Sequence, residues 1–254
     1  MAHITVDTLT YTQLAKSFDH ALLRPEMTTS EVVLGCNLAA RYDVKSVCVK
    51  PCDVRLAAET LAGTSVLVGT VISFPHGNSP TSIKIAESLQ AIDDGATELD
   101  VVINIGLLRG GEVQKVEDEV RAVVQAAKKR YLGVLIKVIF ENAYLSREEI
   151  VLACKLTERA GAEFVKTSTG FAATGHTIED LRLMRESVSE RIEVKASGGV
   201  KTLDQVVAIL QTGTTRVGSS STDKILDEFK RVRGELCTSR LLPKTLDTRV
   251  EHAK

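Results

Sequence analysis

Seven short apolar, β-branched runs punctuate this chain at intervals of roughly 20–35 residues, the size of a strand-plus-helix unit. They are "SVCVK" (46–50), "SVLVGTVIS" (65–73), "ELDVVIN" (98–104), "GVLIKVIF" (133–140), "EFVKT" (163–167), "IEVKA" (192–196) and "TRVGS" (215–219). Several are too continuously apolar for a sheet with one wet face and read as strands buried on both sides. A weaker eighth, "SFDHALL" (17–23), precedes them. The segments between carry helix punctuation. Ser146 with Glu149, and Thr202 with Gln205, have the spacing of a capping box, and Gly161 and Gly213 stand where those helices should stop. Eight such units need about 250 residues, the usual length of a parallel (β/α)8 (TIM) barrel, so an α/β chain of 254 residues is expected to close one. The rival, an open doubly wound sheet, lacks a G-x-G-x-x-G after an early strand. No Pro-rich or Gly/Ser linker divides the chain. One domain is expected over 1–254, with its barrel core at about 17–230 and a surface tail at 236–254.

Composition narrows the partners. The formal net charge is −1, which gives no electrostatic reason to expect nucleic acid or an anionic membrane, and aromatic residues are only 4% with no Trp, which disfavours base stacking. No basic-then-apolar leader opens the chain, and the longest apolar stretch is too short to span a bilayer and has Lys137 in its middle. Cys36, Cys48, Cys52, Cys154 and Cys237 are scattered and odd in number, as expected of reduced thiols in a cytoplasmic protein. No His or Cys cluster completes a metal site around Cys48 and Cys52.

In a barrel of this kind the chemistry sits at the C-terminal ends of the strands. Asp100, Lys137, Lys166 and Lys195 interrupt strand runs there, and Asp19 lies on the weak first strand. A single lysine at a strand end is usually a solvated rim residue, but three on successive strands converge on one mouth. Lysine is a nucleophile only when neutral, and at a pKa near 10.4 only about one in 2,500 is neutral at pH 7. A second ammonium about 5 Å away, at an effective dielectric near 20, costs roughly 3 kcal/mol, or about 2.4 pKa units. Desolvation acts in the same direction, so clustering can bring one lysine into the range of Schiff-base chemistry. Asp100 would then move the protons that an imine mechanism requires.

A second constellation follows. "STG" (168–170), "SGGVK" (197–201) and "VGSSS" (217–221) end the last three strands. Glycine-rich loops bring backbone N–H groups close to an anion, and the loops after the seventh and eighth strands of such barrels often hold phosphate. A turn glycine in one loop would mean little; three adjacent loops favour a phosphate site.

Taken together, "SFDHALL", "SVCVKP", "VISFPHG", "ELDVVINIG", "LIKVIFE", "EFVKTSTGF" and "VKASGGVK" closely resemble the deoxyribose-phosphate aldolase family over residues 17 to 230. The resemblance implies a cofactor-free, metal-independent class I aldolase that reversibly cleaves 2-deoxy-D-ribose 5-phosphate to D-glyceraldehyde 3-phosphate and acetaldehyde. By motif position it implies Lys166 as the Schiff-base lysine, Lys195 as the neighbour that depresses its pKa and Asp100 as the proton donor and acceptor. Gly170, Gly198, Gly199, Gly218, Ser220 and Ser221 fall where the family holds the phosphate, while Lys137, Asp19 and Cys48 match supporting positions. The sequence departs from the family pattern at Ala21, Lys50, Ala172 and Ala173. The resemblance leaves room for a homodimer, and nothing in the residues sets the oligomeric state. The alternative on the same residues is another phosphosugar barrel enzyme, such as an isomerase using Lys166 and Lys195 only as countercharges; a non-catalytic phosphometabolite-binding barrel is the third reading.

Overall fold

Strands that shield both faces from water need cover on both, and the chain achieves this with helices outside and by closing the sheet on itself. The computed structural model describes residues 4–234. Its strands are β1 (Phe18–Leu22), β2 (Ser46–Val49), β3 (Leu67–Ile72), β4 (Glu98–Val102), β5 (Leu135–Ile139), β6 (Phe164–Lys166), β7 (Glu193–Ser197) and β8 (Arg216–Ser219). Each pairs in parallel with the next, and β1 pairs with β8, giving a closed barrel in sequence order. All seven strong runs and the weak first one are strands, as the spacing predicts. The proposed tail at 236–254, and Cys237, lie outside the described residues.

Among the described residues ten α-helices accompany the strands: α1 (Tyr11–Ala15), α2 (Thr29–Tyr42), α3 (Val54–Thr60), α4 (Thr81–Asp93), α5 (Ile105–Arg109), α6 (Val113–Arg130), α7 (Arg147–Ala160), α8 (Ile178–Ser187), α9 (Leu203–Leu210) and α10 (Thr222–Val232). The capping boxes expected at Ser146 and Thr202 are both formed, and Gly161 ends α7 in the left-handed region. Helix α9 ends three residues before Gly213, because Gln211 already caps it.

Side chains alternate along each strand, so every strand supplies two environments. The outward set, including Val47, Leu99, Ile136, Val165, Val194 and Val217, belongs to the buried hydrophobic core. The inward set is strongly polar: Asp19, Glu98, Asp100, Lys137, Lys166, Lys195 and Arg216 are all buried. Weak β1 is a strand for this reason, since Asp19 faces partners inside while His20 bonds Thr222 of α10 at 3.1 Å. A further charge is buried outside the barrel. Lys84 of α4 donates to the Val102 carbonyl at 2.8 Å and pairs with Glu119 of α6 at 2.6 Å, tying two helices to the end of β4.

Candidate active site

The i, i+2 rule puts Glu98 below Asp100 on β4, Phe164 below Lys166 on β6 and Arg216 below Gly218 on β8. Two charged layers result. In the lower one Arg216 binds Asp19, Ser46 and Glu98, with its guanidinium 5.8 Å from the Phe164 ring centre. In the upper one Asp100 receives three ammonium groups. Lys137 Nζ lies 2.8 Å from Oδ1, while Lys166 Nζ and Lys195 Nζ each lie 2.7 Å from the same Oδ2. The two nitrogens of Lys166 and Lys195 therefore cannot be farther apart than twice that distance. Lys195 also pairs with Asp19, and Lys137 links the layers by bonding Glu98 at 2.7 Å.

This arrangement selects one lysine. With every group ionised the network holds four cations, Lys137, Lys166, Lys195 and Arg216, against three carboxylates, Asp19, Glu98 and Asp100. Loss of one proton would balance it. Burial pulls Lys166 below its ordinary pKa and the Lys195 charge adds to this, against the single carboxylate Asp100. Lys137 and Lys195 suffer the same burial, but each faces two or more carboxylates and is held above its ordinary value. Burial works against ionised Asp100, yet Lys137, Lys166 and Lys195 together hold it well below the usual carboxylate range. Cys48 stays a neutral thiol because burial pushes it up to about 11. Removing the arginine of the lower layer exposes the strength of this coupling: Arg216→Leu leaves Asp19 and Glu98 short of a cation and should destabilise the fold by about 3–5 kcal/mol in urea titration.

Above the lysines opens a cavity of about 300 Å³, enough for a small ligand. Lys166, Lys195, Asp19 and Cys48 line it, as do Gly170, Gly198, Gly199, Gly218 and Ser220. Of the anticipated loop residues Ser221 alone stays off the wall, because it stands at the start of α10 with its amide turned to Ser219 Oγ at 3.0 Å. Among the described residues no hydrogen bond engages the backbone amides of Gly170, Gly198, Gly199 or Ser220. Gly198 and Gly199 both adopt positive φ, 86° and 83°, a conformation that glycine takes without strain. Gly218 lets β8 approach Ser197 of β7 closely: a Cβ there would sit 3.1 Å from Ser197 Cβ, and in ordinary contact with Lys195 Cε at 3.6 Å. Arg24 and Lys201 also line the cavity and add positive charge at its rim.

Three participants escaped the sequence reading. Glu98 and Arg216 open their strands, where a charge reads as a solvated end; the two-residue offsets from Asp100 and Gly218 were the available signal. Arg24 carries no such signal in a loop. Of the departures from the family pattern, Ala21 lines the cavity and Ala172 a neighbouring one, while Lys50 donates to the Met27 carbonyl at 2.9 Å.

A closed parallel barrel with a buried charged cluster inside it and a glycine-walled cavity above that cluster defines the class: a (β/α)8 barrel with a cavity where such folds place their active sites. Comparison with known proteins is more specific. The family model of the DeoC/LacD family aldolases matches residues 13–226. The deoxyribose-phosphate aldolase of Thermoanaerobacter sp. (strain X514) is 46% identical over 220 residues, covering 87% of this chain and 98% of that protein. The deoxyribose-phosphate aldolase of Staphylococcus epidermidis (strain ATCC 12228 / FDA PCI 1200) is 48% identical, covering 84% and 94%. Among solved structures, the deoxyribose phosphate aldolase from Aeropyrum pernix, described as tetrameric, superposes with a TM-score of 0.82 at 30% identity, covering 89% of this chain and 95% of that one. The chain belongs to the DeoC/LacD aldolase family, and within it to the group of the deoxyribose-phosphate aldolases. Among the described residues no helix is long and apolar enough to cross a membrane.

Proposed function

We propose that the protein is a class I aldolase that reversibly cleaves 2-deoxy-D-ribose 5-phosphate to D-glyceraldehyde 3-phosphate and acetaldehyde through a Schiff base on Lys166. The observation that carries this reading is the pair of ammonium groups, Lys166 and Lys195, on one oxygen of Asp100 at the floor of a glycine-walled cavity.

The neutral Lys166 nitrogen attacks the C1 aldehyde of the open-chain sugar, and loss of water from the adduct leaves an iminium. A base removes the proton of the C3 hydroxyl, the C2–C3 bond breaks, and its electrons pass into the iminium to give an enamine. Glyceraldehyde 3-phosphate departs with C3 as its new aldehyde. Protonation of the enamine at C2 and addition of water release acetaldehyde and restore the lysine. Asp100 reaches Lys166 and suits these proton transfers, directly or through one water. Lys195, held protonated by Asp19 and Asp100, keeps positive charge beside Lys166 throughout. Lys137 joins the two layers and holds Asp100 from the opposite oxygen. The unengaged amides of Gly170, Gly198, Gly199 and Ser220 supply donors for the phosphate.

Borohydride added with acetaldehyde or deoxyribose 5-phosphate should fix a covalent adduct on the peptide carrying Lys166, and activity should survive EDTA. An adduct on Lys137 alone, or none, would overturn the assignment.

A further inference from the structure

The loop that carries Gly170 has little behind it. Thr169 and Phe171 line the catalytic cavity on one side and, on the other, a second cavity of about 310 Å³ that also touches Pro75, His76, Tyr144 and Glu141. Phe171 is half exposed and meets the ring of Phe74 edge-on at 5.2 Å. A loop forming a thin wall between two cavities has few packing contacts to set its shape.

A hydrogen-bonded latch from the neighbouring strand supplies that shape. Beyond β5 the ladder to β6 continues, with Phe140 N–H donating to the Lys166 carbonyl and Asn142 N–H to the Thr167 carbonyl, both at 3.0 Å. Between these rungs stands Glu141, buried, with φ 60° and ψ 65°. A non-glycine residue in this left-handed region costs on the order of 1 kcal/mol and persists only where its surroundings demand it. Here the Glu141 carboxylate accepts from the Thr169 amide at 3.3 Å and from the Thr169 hydroxyl. The same hydroxyl oxygen accepts from Phe171 N–H at 3.0 Å. The amides at 169 and 171 are thus both engaged, and the Gly170 amide between them is not.

We propose that Glu141 is a positioning residue for phosphate recognition: through Thr169 it holds the loop after β6 in the conformation that presents the Gly170 amide to the anion. It touches neither the reacting carbons nor the lysines, so its effect falls on selection of phosphorylated over unphosphorylated substrate. The inference rests on the phosphate reading of the cavity given above.

The test is steady-state cleavage of 2-deoxyribose 5-phosphate and of 2-deoxyribose by the full chain and by Glu141→Gly, Glu141→Gln and Thr169→Val. Glycine suits φ 60° without strain, so Glu141→Gly removes the carboxylate while easing the backbone. Thr169→Val removes the hydroxyl relay from the other end and needs no change at the strained position. The preference for the phosphorylated sugar, as a ratio of kcat/KM values, should fall about tenfold or more in all three, through KM rather than kcat. Inhibition by inorganic phosphate should weaken in parallel. Equal losses on both sugars, an effect confined to kcat, or an unchanged ratio with unchanged phosphate inhibition would overturn the inference. A wild-type chain that binds inorganic phosphate but cleaves neither sugar would sink the aldolase reading instead. Calorimetric titration of phosphate into wild type and variants would then still decide the role of Glu141.

Discussion

Lys166→Arg should lower the turnover of 2-deoxyribose 5-phosphate by about 10⁴-fold or more and abolish the borohydride-trapped adduct. Arginine keeps the positive charge that pairs with Asp100 at 2.7 Å in the wild type, but its guanidinium stays protonated at any accessible pH and offers no lone pair for attack on a carbonyl. The substitution therefore separates charge from nucleophilicity. An enzyme that used Lys166 only as a countercharge, as a proton-transferring isomerase would, should retain measurable turnover. A coupled assay of triose phosphate release reads the difference, and residual activity within about tenfold of wild type would exclude the imine mechanism.

The second large effect is expected at Asp100. Under the proposed mechanism Asp100→Asn should cut turnover by about 10³-fold, because it removes the carboxylate to which that mechanism assigns the proton transfers. Formation of the first adduct should respond in the opposite sense. Burial and the Lys195 charge lower the Lys166 pKa, and Asp100 opposes them. Without that opposing charge the pKa falls further, and a larger share of Lys166 is neutral at a given pH. The rising limb of the pH profile for borohydride trapping with acetaldehyde should accordingly move to lower pH in Asp100→Asn. A limb displaced to higher pH, or turnover close to that of the wild type, would show that Asp100 is not the group coupled to Lys166.

Much of this site could be read along the chain because periodicity and strand spacing are local properties. Lys166 and Lys195 were legible as an oddity, hydrated cations at the ends of apolar runs on successive strands, and register pairs them directly across β6 and β7. Glu98 and Arg216 were not legible, since a charge at the first position of a strand looks the same whether it meets water or a buried partner. Arg216 finds Asp19 and Glu98 only because the barrel closes and brings β8 against β1 and, across the interior, near β4. Glu141 was hidden for a related reason. "FEN" reads as an ordinary strand exit, and its left-handed backbone becomes meaningful only beside the Thr169 that it holds.

The sequence by itself determined the number and order of the strands, their burial on two faces, the capping boxes at Ser146 and Thr202 and the family. All of these follow from side-chain chemistry repeated at short separations. Only the tertiary structure decided which lysine is pulled below its ordinary pKa. That choice depends on how many carboxylates surround each ammonium once water has been excluded, and electrostatic energy in a dry interior depends on distances between residues far apart in the chain. Lys166 faces one carboxylate, whereas Lys195 faces Asp19 and Asp100, and Lys137 faces Glu98, Asp100 and, at 3.6 Å, Asp19.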